Sequence, residues 1–129
     1  MTSEQPAKFK VLIVEDEETS LQIITLALQR RNRELLFARD GEEAVRIATS
    51  ERPDLIVMDM MLPKLDGFGA TRRIKADPAL AAIPVIALTA RTGDFDERKA
   101  REAGCADYIT KPYRIEHLRA RLAPYFGQA

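Results

Sequence analysis

Four consecutive apolar residues, Leu55-Ile56-Val57-Met58, run without interruption into Asp59, after which the chain turns through Pro63 and Asp66-Gly67. An apolar run with no polar alternation suits a strand covered on both faces, as in a parallel sheet between two helical layers. Asp59 then stands at the carboxyl end of that strand. In open α/β sheets the loops leave the sheet at this edge and open a crevice, so chemistry collects there. The stretch Pro53 to Gly67 therefore demands a fold that delivers one carboxylate to such a crevice.

The rest of the chain supplies that fold. Lys10 to Val14 opens the fold with Val11-Leu12-Ile13-Val14, a second all-apolar strand, and ends in Glu15-Asp16-Glu17. Leu35 to Ala38 is a short strand, Pro84 to Leu88 runs into Thr89-Ala90, and Ala106 to Ile109 precedes Lys111-Pro112. Between them, Leu21, Ile24 and Leu28, widened by Ile23 and Ala27, predict an amphipathic helix over Thr19 to Arg31, closed near Asn32. Asp40-Gly41-Glu42-Glu43 is a variant of the capping-box pattern and opens a helix with Ala44, Ile47 and Ala48 turned inward. A third helix is expected from Gly67 to Ala76, capped by Asp66, halted before Pro78 and irregular in its first turn because of Gly69. Asp94 to Ala103 reads as a highly charged, loosely held helix stopped by Gly104. Ile115, Leu118 and Leu122 mark a last helix that Pro124 is expected to end or bend. Five strands alternating with five helices predict an α/β fold: a doubly wound five-stranded parallel sheet, (βα)5, with helices on both faces. At this size the common strand order is 2-1-3-4-5.

Composition narrows the function. A chain of 129 residues is one domain's worth and can bury a core. Lys+Arg and Asp+Glu are equal at 20 each, so no net field favours nucleic acid or an anionic membrane. The expected partner is a protein or a small ligand. The single cysteine, Cys105, excludes an internal disulfide, and no window approaches the roughly 18 apolar residues of a membrane span. Residues 1–8 read as a disordered leader, 9–126 as the domain and 127–129 as a tail, with a cytoplasmic location by default.

With strands one, three, four and five side by side, their ends bring together Glu15, Asp16, Asp59, Thr89 and Lys111. Carboxylates crowded into one crevice repel at roughly 1 to 4 kcal/mol per pair near 4 Å, so a cation is expected. Oxygen donors without His or Cys favour Mg²⁺ over zinc.

Four blocks of the chain resemble the receiver domain of two-component response regulators: Val11 to Glu17, Asp54 to Gly67, Ile83 to Ala90 and Gly104 to Tyr113. The likeness covers Phe9 to Phe126. It implies that Asp59 is the phosphoryl acceptor, a carboxylate nucleophile forming an aspartyl phosphate. It also implies that Glu15 and Asp16 bind Mg²⁺, Asp16 more directly, together with Asp59 and the backbone oxygen of Met61. Lys111 would face the phosphoryl group and Thr89 would donate its hydroxyl to it. Tyr108 would turn into the space that Thr89 vacates, remodelling the face of the fourth helix, fifth strand and fifth helix. The resemblance further implies a cis bond between Lys111 and Pro112, and places Met61 and Arg91 along the path of the water that removes the phosphoryl group. The implied donor is a histidine kinase or histidine phosphotransfer protein, and the output is a downstream protein target bound by a monomer, because no output domain follows Phe126.

Plainer roles stand beside these. Glu15 and Asp16 could cap the first helix, a role that also suits Glu17. Tyr108 could be an ordinary half-buried aromatic, His117 belongs on the solvent side of the last helix, and Cys105 is expected to be buried. An aspartyl phosphatase would want a second acid two residues after its nucleophile, where this chain has Met61. A flavin-binding protein of similar fold would want a Gly/Ser/Thr-rich phosphate loop after strand one, where this chain has acids. The remaining alternative is a phosphorylation-independent receiver-like binding module.

Overall fold

A computed structural model of the chain describes residues 8–90 and 94–126. The leader (except Lys8, which is exposed), the tail and Arg91 lie outside the described residues. The element order is β1 (Phe9–Val14), α1 (Glu18–Leu28), β2 (Arg33–Ala38), α2 (Gly41–Glu51), β3 (Leu55–Asp59), α3 (Gly67–Ala76), β4 (Val85–Thr89), α4 (Asp94–Ala103), β5 (Asp107–Thr110) and α5 (Ile115–Phe126). The five strands form one sheet in the order β2-β1-β3-β4-β5, every pair parallel.

Strand side chains alternate between two helical layers. Leu12, Val14, Ile56 and Met58 pack with Ala44, Ala48, Phe68, Ala70, Ile74, Ala100 and Ala103 of α2, α3 and α4. Val11, Ile13, Leu55, Val57, Ile86, Leu88 and Ile109 pack on the opposite face with Ile24, Leu28, Leu118, Leu122 and Phe126 of α1 and α5. Every residue of β3 and β4 is buried, as an apolar run without alternation requires.

Three helix details depart from the sequence expectation. Helix α1 stops at Leu28 instead of Arg31, with Gln29 already extended at ψ 125. Its last carbonyls are taken by arginines from elsewhere in the chain. Arg119 Nε donates to Ala27 O at 3.0 Å and its Nη2 to Leu26 O at 3.2 Å, while Arg33 Nη1 donates to Leu28 O at 2.9 Å. Guanidinium groups thus close the negative end of the helix in place of a glycine cap. Helix α3 is regular from Gly67, because Asp66 Oδ1 accepts the Gly69 N–H at 2.8 Å and fixes the first turn. Pro124 does not end α5, which continues to Phe126. A proline ring already has a helical φ, and this late in the helix it removes only one donor.

Capping is otherwise as read. Asp40 Oδ1 accepts the Glu43 N–H at 2.8 Å, and the Glu43 carboxylate reaches back one residue further than a capping box, to the Arg39 N–H at 2.8 Å. Gly104 stops α4 at φ 111, in the left-handed region that favours glycine. Gly41, the first residue of α2, packs directly on the loop after β3: a Cβ there would overlap the carbonyl oxygen of Leu65 and lie 2.7 Å from its carbonyl carbon. Gly41→Ala should therefore cost about 1–3 kcal/mol in urea unfolding, whereas Ala at the neighbouring exposed Glu42 should stay within about 0.5 kcal/mol.

Candidate functional site

Parallel pairing places the strand ends side by side. Val14 pairs with Met58, Asp59 with Leu88 and Thr89 with Thr110, so the residues just beyond β1 and at the ends of β3 and β4 share one edge. Glu15 continues the β1 ladder by one bond, its N–H donating to Ala38 O at 3.0 Å. Lys111 is held beside Thr89, donating its N–H to Thr89 O at 2.7 Å.

Glu15, Asp16 and Asp59 each offer a carboxylate oxygen within 4.8 Å of the others. Asp59 is buried, and both its oxygens are engaged. Lys111 Nζ donates to Oδ2 at 3.3 Å, and the Met61 N–H donates to Oδ1 at 2.9 Å. Glu15 is fully buried; its Oε2 accepts the Glu17 N–H at 3.2 Å, while Oε1 has no partner. Burial, and then the neighbouring Asp59 charge, push the Glu15 carboxyl up to about 7, against the pull of Lys111 and the Glu17 N–H. Asp16 is exposed at the mouth. Glu17 is the cap of α1, its Oε1 accepting the Ser20 N–H at 3.0 Å, so capping does not account for Glu15.

One ammonium faces three acids here, and a buried carboxylate oxygen is left without a donor. An oxygen-only donor set with an excess of negative charge fits a hard divalent cation such as Mg²⁺, with Glu15, Asp16 and Asp59 as the side chains able to hold it.

The remaining expected residues fall into two groups. Thr89 is buried at the end of β4, on the same edge as Asp59. Tyr108 lies apart from the acids, on the face between β5 and α4. Its half-buried hydroxyl donates to Glu97 Oε1 at 3.0 Å, an acceptor that raises the phenol's pKa, and the Arg101 guanidinium lies 6.0 Å from its ring. The Lys111–Pro112 bond is cis. The Met61 side chain is 70% exposed, and only its backbone enters the site. His117 is exposed, and Cys105 is buried with Sγ 3.9 Å from Thr71 Oγ1.

Two contributors go beyond the sequence reading. Gly67 is legible as a turn and helix start, but its main role is proximity. Its N–H donates to Met60 O at 3.1 Å, and a Cβ would overlap the carbonyl oxygen of Asp59 and sit 2.7 Å from Met60 Cα. The other is Tyr113, two residues after Lys111, buried with its ring centroid 5.9 Å from Lys111 Nζ.

Fold and edge together define a doubly wound α/β domain whose acidic crevice centres on one strand-end aspartate paired with a lysine. Residues 11–123 match the response regulator receiver domain. The chain belongs to that family. It is 38% identical over 119 residues to the polar-differentiation response regulator DivK of Brucella anthropi, covering 92% of this chain and 97% of that protein. It is 39% identical over 113 residues to the alkaline phosphatase synthesis transcriptional regulatory protein PhoP of Bacillus subtilis, covering 88% of this chain and 46% of that protein, so it spans about half of that relative's length. Among solved structures, the receiver domain of the Pseudomonas aeruginosa sensor histidine kinase PA1611, which carries a magnesium ion coordinated in its active site cleft, superposes with a TM-score of 0.84 at 36% identity, over 95% of this chain and 100% of that one. No helix among the described residues is long and apolar enough to cross a membrane.

The raised Glu15 pKa has a consequence for the metal-free protein. An acid whose pKa is higher folded than unfolded binds more protons when folded, so stability is lost as pH rises from the unfolded value toward the folded one. A rise from 4.5 to about 7 corresponds to at most roughly 3–4 kcal/mol. In chelator, the stability of wild type relative to Glu15→Gln should fall between pH 5 and pH 7.5 in urea titrations. A flat difference would contradict the burial and crowding of Glu15.

Proposed function

We propose that the protein is a phosphorylation-controlled response regulator that accepts a phosphoryl group on Asp59 from the phosphohistidine of a histidine kinase or histidine phosphotransfer protein. The observation that carries this reading is the buried Asp59 carboxylate, bonded to Lys111 Nζ at 3.3 Å beside Glu15 and Asp16. A merely structural Asp59–Lys111 pair would give no reason to bury Glu15 next to it. Bound Mg²⁺ would supply neutralising charge to the acids and to the phosphoryl oxygens, the main requirement of phosphoryl transfer.

The chain's own residues do the rest. An Asp59 oxygen attacks phosphorus, the new O–P bond forms as the P–N bond breaks, and the bonding pair leaves with the imidazole nitrogen. The Met61 N–H restrains Oδ1, which leaves Oδ2, on the Lys111 side, as the attacking atom. Lys111 then holds its charge against the transferred group. Met61 provides no side-chain acid two residues after the nucleophile, which accords with slow self-catalysed hydrolysis in place of enzymatic turnover. The Met61 carbonyl would join Glu15, Asp16 and Asp59 around the cation. For Arg91, which is outside the described residues, a role in water access rests on the family resemblance alone.

Signal output follows from Thr89 and Tyr108. Thr89 donates its hydroxyl to the phosphoryl group, and Tyr108 gives up its bond to Glu97 and turns inward, changing the face of α4, β5 and α5. Coupling of this sort is typically worth about 1–3 kcal/mol, enough to shift a population between two states. The partner read by that face is a downstream protein, bound by a monomer in the cytoplasm.

Incubation with a small phosphodonor and Mg²⁺ should add one labile phosphoryl group to wild type by intact mass and none to Asp59→Asn. No adduct on wild type would overturn the assignment. In a partner pull-down, Thr89→Ala should lose at least about five-fold of the phosphorylation-dependent gain in binding, in line with a coupling near 1 kcal/mol, and an unchanged gain would contradict the switch.

A further inference from the structure

Among the described residues, three buried side-chain polar atoms have no hydrogen-bond partner: Glu15 Oε1, Arg33 Nε and the Tyr113 hydroxyl. Arg33 lies at the opposite edge of the sheet, over Phe126. The other two belong to one place. Strand alternation puts Glu15 after Val11 and Ile13 on the sheet face covered by α1 and α5, the layer in which Val11, Ile13 and Tyr113 pack. Tyr113 is only 8% exposed, and Lys111 Nζ, 5.9 Å from its ring centroid, is the group that reaches Asp59 at 3.3 Å. Burial raises the phenol's pKa, and among charged neighbours Glu15 acts on it most strongly, ahead of Asp59 and Glu17. One orphan is an acceptor and the other a donor.

A phenol that only filled space would be matched by Phe. An unpaired buried hydroxyl costs about 1–3 kcal/mol, so its retention at this spot needs a counterpart. Glu15 needs one as well: facing a cation it must be ionised, and its Oε2 already holds the Glu17 N–H while Oε1 holds nothing.

We propose that Tyr113 is a positioning residue of the crevice, its hydroxyl donating to Glu15 Oε1, directly or through one water, when the site carries its cation. The contact orients the Glu15 carboxylate without touching the phosphoryl group or the metal. Residues of this kind, which hold a metal-facing side chain from behind, commonly change metal affinity by 10–100-fold when replaced. The inference rests on the metal-dependent reading of the site given above.

Two measurements test it. In calorimetric titration with Mg²⁺, Tyr113→Phe should bind roughly ten-fold more weakly than wild type, and Tyr125→Phe, on the same helical side but away from the acids, should bind as wild type does. In protein labelled with ¹³C at the tyrosine ζ carbon, the Tyr113 resonance should move on Mg²⁺ addition in wild type and stay in place in Glu15→Gln. This second readout uses the native side chain, so it decides the matter even if Tyr113→Phe were to fold poorly. In wild type that binds Mg²⁺, an unmoved Tyr113 resonance, or a folded Tyr113→Phe that binds with equal affinity, would overturn the role of Tyr113 alone. Wild type that binds no Mg²⁺ would overturn the metal-dependent reading and the role of Tyr113 with it.

Discussion

The carboxyl edge depends on a Coulombic imbalance. Glu15, Asp16 and Asp59 bring carboxylate oxygens within 4.8 Å of one another, and one ammonium, Lys111 Nζ, answers them from 3.3 Å off Asp59 Oδ2. Two like charges about 4 Å apart repel by roughly 4 kcal/mol at the effective dielectric of a protein surface. Part of this load is carried by protonation, with the Glu15 carboxyl pushed up to about 7. A cation bound among these carboxylates would change the balance of the whole crevice.

Holding that imbalance in place is the task of the scaffold. Fully buried β3 cannot slide without exposing Leu55, Val57 or Met58, and parallel pairing through Met58 to Val14 and Asp59 to Leu88 locks the acids and Thr89 to one edge. The loop after β3 is clamped at both sides by glycines, Gly67 against the Asp59 backbone and Gly41 against Leu65. The Met61 N–H on Asp59 Oδ1 then follows from the loop's path. Core packing and the geometry of the Asp59 carboxylate are therefore the same constraint read at two scales.

Much of this was legible in the sequence, because apolar runs without alternation mark buried parallel strands and strand order then places their final residues together. Asp59, Glu15, Asp16, Thr89 and Lys111 reach one edge for that reason alone. What periodicity could not convey is contact between distant elements. The early end of α1 depends on Arg33 and Arg119 reaching its last carbonyls, from five and more than ninety residues away. The pairing of Tyr108 with Glu97 and the close approach of Gly67 to Asp59 are likewise properties of packing. Tyr113 sat in plain view after Lys111-Pro112, yet only its burial and unpaired hydroxyl single it out.

The central claim is that the crowded acids form a site for a divalent cation, and thermal melting at pH 7.5 measures it directly. A ligand bound only by the folded state stabilises by RT ln(1 + [L]/Kd), about 1.4 kcal/mol at ten times Kd. Saturating Mg²⁺ should therefore raise the wild-type melting temperature by several degrees, and Asp16→Asn and Asp59→Asn should lose most of that gain. An identical melting temperature with Mg²⁺ and with chelator in the wild type would contradict the account.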